Sequence, residues 1–181
     1  MNLTDIANIS LESIGGDSIN SIDENTATAR KIKRMVYMVI DDISTMRNWG
    51  CLIKREKLTL AKEENGVYKF NLPNNVMNII NGSPDHNWKR EGDYIYANSP
   101  EMYITYTESC YEPSKWCKNL RGAVISKLKA ESVMAIVGNR DLAVSTIQLA
   151  ERDINRYIMN DIYASNEAHI QKASNWYYPT V

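Results

Sequence analysis

The side chains able to do chemistry in this chain are few and widely separated. Nucleophilic catalysis needs a Ser or Cys with a base in reach, and the sequence offers two histidines, His86 and His169, and three cysteines, Cys51, Cys110 and Cys117. His86 sits in Asn81-Gly82-Ser83-Pro84-Asp85-His86-Asn87, a run of turn formers that predicts a loop residue instead of a base. His169 falls on the polar side of a predicted helix. The cysteines are odd in number and lack the short paired spacing of a zinc or redox site, so reduced, partly buried thiols are expected. Asp41-Asp42 and Glu63-Glu64 are adjacent pairs. Neighbouring residues diverge on a helix and alternate faces on a strand, so neither pair makes a shared acid–base site. Gly15-Gly16 follows a predicted helix, whereas a phosphate-cradling loop precedes one. No cofactor, metal or catalytic residue is therefore assigned, and the expectation is a protein that is not an enzyme. The competing reading is a small hydrolase or nuclease that gathers aspartates and His86 from separate segments, for which the sequence supplies no motif.

The composition bounds the rest. With 181 residues, 44% hydrophobic and 24% charged, the chain suits one globular core bearing an elaboration. A formal net charge of -1 argues against a protein that lives by gripping nucleic acid, though it leaves room for a small basic patch. Met1-Asn2-Leu3-Thr4-Asp5 lacks the basic and apolar regions of a signal peptide, and no run of about 18 apolar residues occurs, so no membrane association is expected.

Spacing then predicts the elements that would hold these groups. Leu3, Ile6, Ala7, Leu11 and Ile14 return to one face of a short helix, stopped at Gly15-Gly16. The loop from Asp17 to Asp23 carries two isoleucines and should pack on the body. A long helix starts near Asn25 or Thr26, with Ala29, Ile32, Val36, Val39, Ile40 and Ile43 as its apolar stripe, and closes at Trp49-Gly50. Arg30, Lys31, Lys33 and Arg34 lie off that stripe as a solvated face, or as a hint of an acidic partner or phosphate. Between Cys51 and Cys110 the pattern changes to β-formers. Lys57–Leu60 and Val67–Leu72 flank the turn signal Glu64-Asn65-Gly66, which reads as a hairpin. Short strands follow at Val76–Ile80, Trp88–Arg90, Tyr94–Ala97 and Met102–Tyr106, broken by Gly82, Pro84, Gly92 and Pro100.

After Pro113 helical spacing resumes with Trp116, Leu120, Ala123, Val124, Leu128 and Ala135, ending at Gly138. Asn139 caps a final helix whose buried stripe is Ala143, Ile147, Ala150, Ile154, Tyr157 and Ile158 and which runs to about Ala173. The expected fold is α+β, mainly α: a helical bundle (1-50 and 112-173) with an inserted small antiparallel β-lobe (51-111) and an aromatic tail (174-181). In that tail Trp176, Tyr177, Tyr178, Pro179 and Val181 need cover, from the chain's own body or from a partner. A second set of apolar residues stands off the main stripes, among them Tyr37, Met38, Met46, Met134 and Val137. This suits a subunit that buries one face in its core and another against a neighbour.

Several of these stretches together resemble one family, the head-to-tail connectors, or tail tubular protein A type adaptors, of short-tailed bacteriophages. The opening helix Ala7-Asn8-Ile9-Ser10-Leu11-Glu12-Ser13-Ile14-Gly15 and the loop Ser21-Ile22-Asp23-Glu24 match that family's first motifs. Asp41-Asp42 before Trp49, the run Leu72-Pro73-Asn74-Asn75-Val76, and the corner Val137-Gly138-Asn139-Arg140-Asp141-Leu142-Ala143 match its later ones. Glu24 and Asn139 stand where acid or glycine variants are common, and the aromatic tail lies outside the family pattern. The resemblance implies a virion protein at the head–tail junction, assembled in the host cytoplasm. It implies a homo-oligomeric ring, usually of twelve copies, that docks on the portal protein and receives a nozzle or other downstream tail protein. DNA would pass through its channel without specific binding. On this reading the aromatic tail docks on the portal, and Tyr37, Met38, Met46 and Met134 lie between subunits.

Overall fold

The computed structural model describes residues 1–84 and 87–176, the stretch 166–176 as helix backbone alone. The protein is α+β and mainly α, and it divides into two compact units. One joins Met1–Gly50 to Tyr111–Val181, and the other is Cys51–Cys110.

In the first unit, α1 (Leu3–Glu12) starts at a capping box in which Asn2 and Asp5 satisfy each other's backbone N–H groups. Gly15 takes a left-handed conformation after its end, and the N–H of Gly16 returns to the Leu11 carbonyl at 2.9 Å. The following loop is stitched down. Asn8 both donates to and accepts from the Ile19 backbone, each bond 2.9 Å, and Thr4 Oγ1 accepts the N–H of Ile22 at 3.0 Å. Ile19 and Ile22 are accordingly buried, as their place in the loop predicts. α2 (Ala27–Thr45) begins at Thr26, whose hydroxyl accepts the N–H of Ala29, and buries the whole expected stripe. It stops earlier than Trp49, which folds back fully buried with its indole N–H on the Ile43 carbonyl at 2.7 Å.

A 3-10 turn at Pro113–Lys115 leads to α3 (Lys118–Ser132), capped by the Cys117 sulfur. α3 is the central helix and packs against α1, α2 and α4 (Arg140–Trp176). Its stripe holds as far as Leu128, and Trp116 is buried. Ala135 departs from it, because α3 passes into a π-helical turn at Val133–Val137 that resets the 3.6-residue phase and leaves Ala135 exposed. Gly138 ends the run in a left-handed conformation, and Asn139 caps α4 through the Leu142 N–H at 3.0 Å. In α4, Ala143, Ala150 and Ile154 are buried, but Ile147 is exposed. It lies about 40° around the helix from Ala143, at the rim of the contact face. Gly122 explains the closeness of α3 to α4: a Cβ there would lie 2.6 Å from Cε1 of Tyr157.

The second unit is two antiparallel sheets. β1 (Ile53–Lys57), β7 (Tyr103–Glu108) and β4 (Val76–Ser83) form one, in the order β1-β7-β4. β2 (Thr59–Glu64), β3 (Val67–Asn71), β6 (Tyr94–Ala97) and β5 (Trp88–Glu91) form the other, in the order β2-β3-β6-β5. The expected hairpin is β2–β3, with Asn65 and Gly66 both at positive φ, as a two-residue turn requires. Alternate residues of both sheets meet in one core: Phe70 from β3, Ile95 and Ala97 from β6, Ile104 and Tyr106 from β7. Gly82 lies inside β4 and breaks nothing. A Cβ there would come within 2.7 Å of Trp88 and Met102, so only glycine lets these two side chains close over the strand.

Candidate interaction surface

The motif residues that suggested chemistry or kinship turn out to hold the fold. Asn8 and Thr4 fasten the first loop, and Glu24 gathers the Thr26 hydroxyl, which chiefly draws its carboxyl below the usual range, together with the N–H groups of Asn20 and Ser21. Asp41 accepts the Tyr111 hydroxyl at 2.7 Å, and the Tyr111 ring meets Tyr37 edge-on at 5.4 Å. Three of the four basic residues have partners within the helical unit: Arg30 on Asn25, Lys33 on Asp23, and Lys31 on the distant Ala135 carbonyl of the π turn. Lys31 thus compensates a helix C-terminus, which is a structural role.

Among the described residues, the most deeply buried charged group was invisible in the sequence. Asp161, on α4, accepts Arg47 Nη2 at 3.1 Å and the Gly50 N–H at 3.4 Å, and Cys117 Sγ lies 3.7 Å from its other oxygen. Arg47 also caps the Ile158 carbonyl at 3.0 Å and lies against the Trp49 ring. One ion pair therefore ties the segment after α2, the start of α3 and the middle of α4 together. A buried pair of this kind contributes little net stability while intact and costs several kcal/mol when one partner is removed. All three cysteines are thiols. Among the described residues no three His, Cys, Asp or Glu side chains gather as a metal site, and no helix is long and apolar enough to cross a membrane.

What the helical unit does present is apolar surface. Met38 is 67% exposed, and Met46, Met134 and Val137 also face solvent. Tyr37 keeps one edge on Tyr111 and leaves about a third of its surface open. These positions do not form one patch. Tyr37 and Met38 point about 100° apart around α2, and Met134 belongs to the π turn. Met46 joins Lys127, Ala130, Ile147, Ile154 and Ile158 around a groove of about 350 Å³. Sequence reasoning missed α4 itself: Leu142, Val144, Leu149, Met159 and Tyr163 are all exposed. They spread around the helix and give no amphipathic signal that would have marked them.

No known family model and no curated protein matches this chain. The surface is thus read on its own geometry. Tyr177, Tyr178, Pro179 and Val181 lie outside the described residues, as does His86, and the side chains of His169 and Trp176 lie outside them too.

Proposed function

We propose that this protein is a structural subunit of a phage head-to-tail connector, a homo-oligomeric ring that docks on the portal protein and continues the DNA channel. The helical unit makes the ring, the β unit supplies the attachment surface for the next tail component, and the aromatic tail engages the portal. The observation that carries this reading is the apolar surface of α2, the π turn and α4, which extends well beyond what the unit's own core occupies. Ring closure joins two unlike faces of the same subunit, so exposed apolar side chains on several sides of the helices suit it better than one symmetric patch. The sequence resemblance set out above supplies the identity of the ring.

Native mass spectrometry of the protein, alone and mixed with portal rings, tests the proposal. Assembly on the portal, with or without rings of the isolated protein, is the expected result. A species that stays monomeric and ignores portal rings overturns it.

A further inference from the structure

We propose that the outer face of the four-stranded sheet is a platform for single-stranded nucleic acid, with a base held beside Tyr96 and phosphates on Lys62, Lys69 and Lys89. This does not rest on the ring reading. Because Phe70, Ile95 and Ala97 point into the core, alternation turns Lys69, Tyr94 and Tyr96 outward. Register then lines up Lys62, Lys69, Tyr96 and Lys89 in a single row across β2, β3, β6 and β5.

Lys62 stands directly opposite Lys69, and like charges so placed cost a sheet stability. The neighbours offset that cost. Lys69 Nζ lies 3.5 Å from the centroid of the Tyr94 ring and 5.8 Å from that of Tyr96. Lys62 pairs with Glu64 at 2.9 Å and Lys89 with Glu91 at 2.7 Å. A row of lysines broken by one tyrosine, on an outward sheet face, is a combination that suits a chain of phosphates bearing flat bases.

A pocket of about 260 Å³ opens beside the row, with Val67 and Tyr96 as its apolar walls and Lys62, Lys69 and Glu64 at its edge. A base entering it stacks on Tyr96, while Lys62 and Lys69 meet the phosphates on one side and Lys89 those on the other. Four strands span about 14 Å, the reach of two or three nucleotides. Duplex DNA keeps its bases stacked inside and has none to offer Tyr96, and an acidic peptide has the charge without the flat ring. Glu64 and Glu91 share the face, so binding is weak and readily released by salt.

Fluorescence anisotropy of a labelled oligothymidylate with the full chain tests this. Binding at low salt is expected, its log affinity falling against log salt with a slope of about -2, from three phosphates at about -0.7 each. Tyr96→Ala should weaken binding about tenfold while Tyr96→Phe keeps it, and Lys69→Gln should flatten the slope by about 0.7. Absence of binding at low salt overturns the proposal. So does equal affinity for a duplex, equal competition by polyglutamate, or equal loss in the Phe and Ala variants. Should Tyr96→Ala fail to fold, the salt slope of Lys69→Gln carries the test.

Discussion

In the helical unit, helices bury narrow stripes and leave methionines, leucines and tyrosines in solvent on their remaining sides; in the β unit, the strands left exposed along their length, β1 and β2, carry Lys, Arg and Glu. β1 and β2 are edge strands, where charge discourages further pairing. Those two edges thus carry side chains that repel unwanted strands, while the helical unit leaves apolar surface that a partner would cover. On the two proposals above, the difference separates two ways of meeting other molecules, one by apolar burial and one by polar and aromatic contact.

The largest effects should come from the cores, where the two units are alike. Trp116→Ala and Trp49→Ala each remove a buried indole from the helical unit, and Phe70→Ala removes a fully buried ring from the β core. Each should cost about 3–5 kcal/mol in denaturant unfolding. A wild-type unfolding curve for Trp116→Ala would contradict its burial. Asp161→Ala should cost about 3 kcal/mol, because it strands Arg47 in a buried setting, and replacing both Arg47 and Asp161 with apolar residues should recover much of that loss. A double variant no more stable than the single one would show that the pair organises the helices beyond its charge.

Tyr106 gives the β unit a smaller, pH-dependent term. Burial, then the charge and hydrogen bonding of Glu56, pushes its phenol up from 10.0 to about 12. A raised pKa means that the folded state favours the protonated form. The stabilisation is complete below about pH 10 and is lost as pH climbs towards 12. At most about 2–3 kcal/mol is involved. Absorbance titration of phenolate should find one of the 11 tyrosines ionising last, and Tyr106→Phe should remove that step. A normal titration for every tyrosine would break the assignment.

Much of this architecture was legible in the sequence because its signals are local. Helical stripes, the caps at Thr26 and Asn139 and the Asn65-Gly66 turn each depend on residues close together in the chain. What stayed hidden depends on distant partners. β1 reads Ile-Lys-Arg-Glu-Lys, exposed throughout, and has no alternation to betray a strand; only pairing with β7 makes it one. Ala135 and Ile147 were placed on stripes by a fixed period that the π turn interrupts and that the edge of a contact face does not obey. Arg47 and Asp161 are unremarkable in sequence, and their meeting follows from how α4 crosses the segment after α2. Of the surface residues, Met38, Met46 and Met134 were legible as apolar positions off the stripes, whereas those of α4 were not.

The smallest effect on stability should accompany the largest effect on assembly. Met38 is mostly in solvent, so Met38→Glu removes little packing and should change unfolding by no more than about 0.5 kcal/mol. A charge at an interface core, however, must be desolvated without a partner, which costs several kcal/mol per contact and is repeated around a closed ring. Met38→Glu should therefore leave a folded protein that no longer assembles on the portal, and Met134→Glu should act likewise if the π turn lies on the facing surface. Removal of 176–181 separates the two contacts: it should block portal docking while leaving the helical signal by circular dichroism unchanged. Met38→Glu subunits that still assemble would move the ring contact off α2 and leave the groove beside Met46 and the outer sides of α4 as the surfaces that must meet.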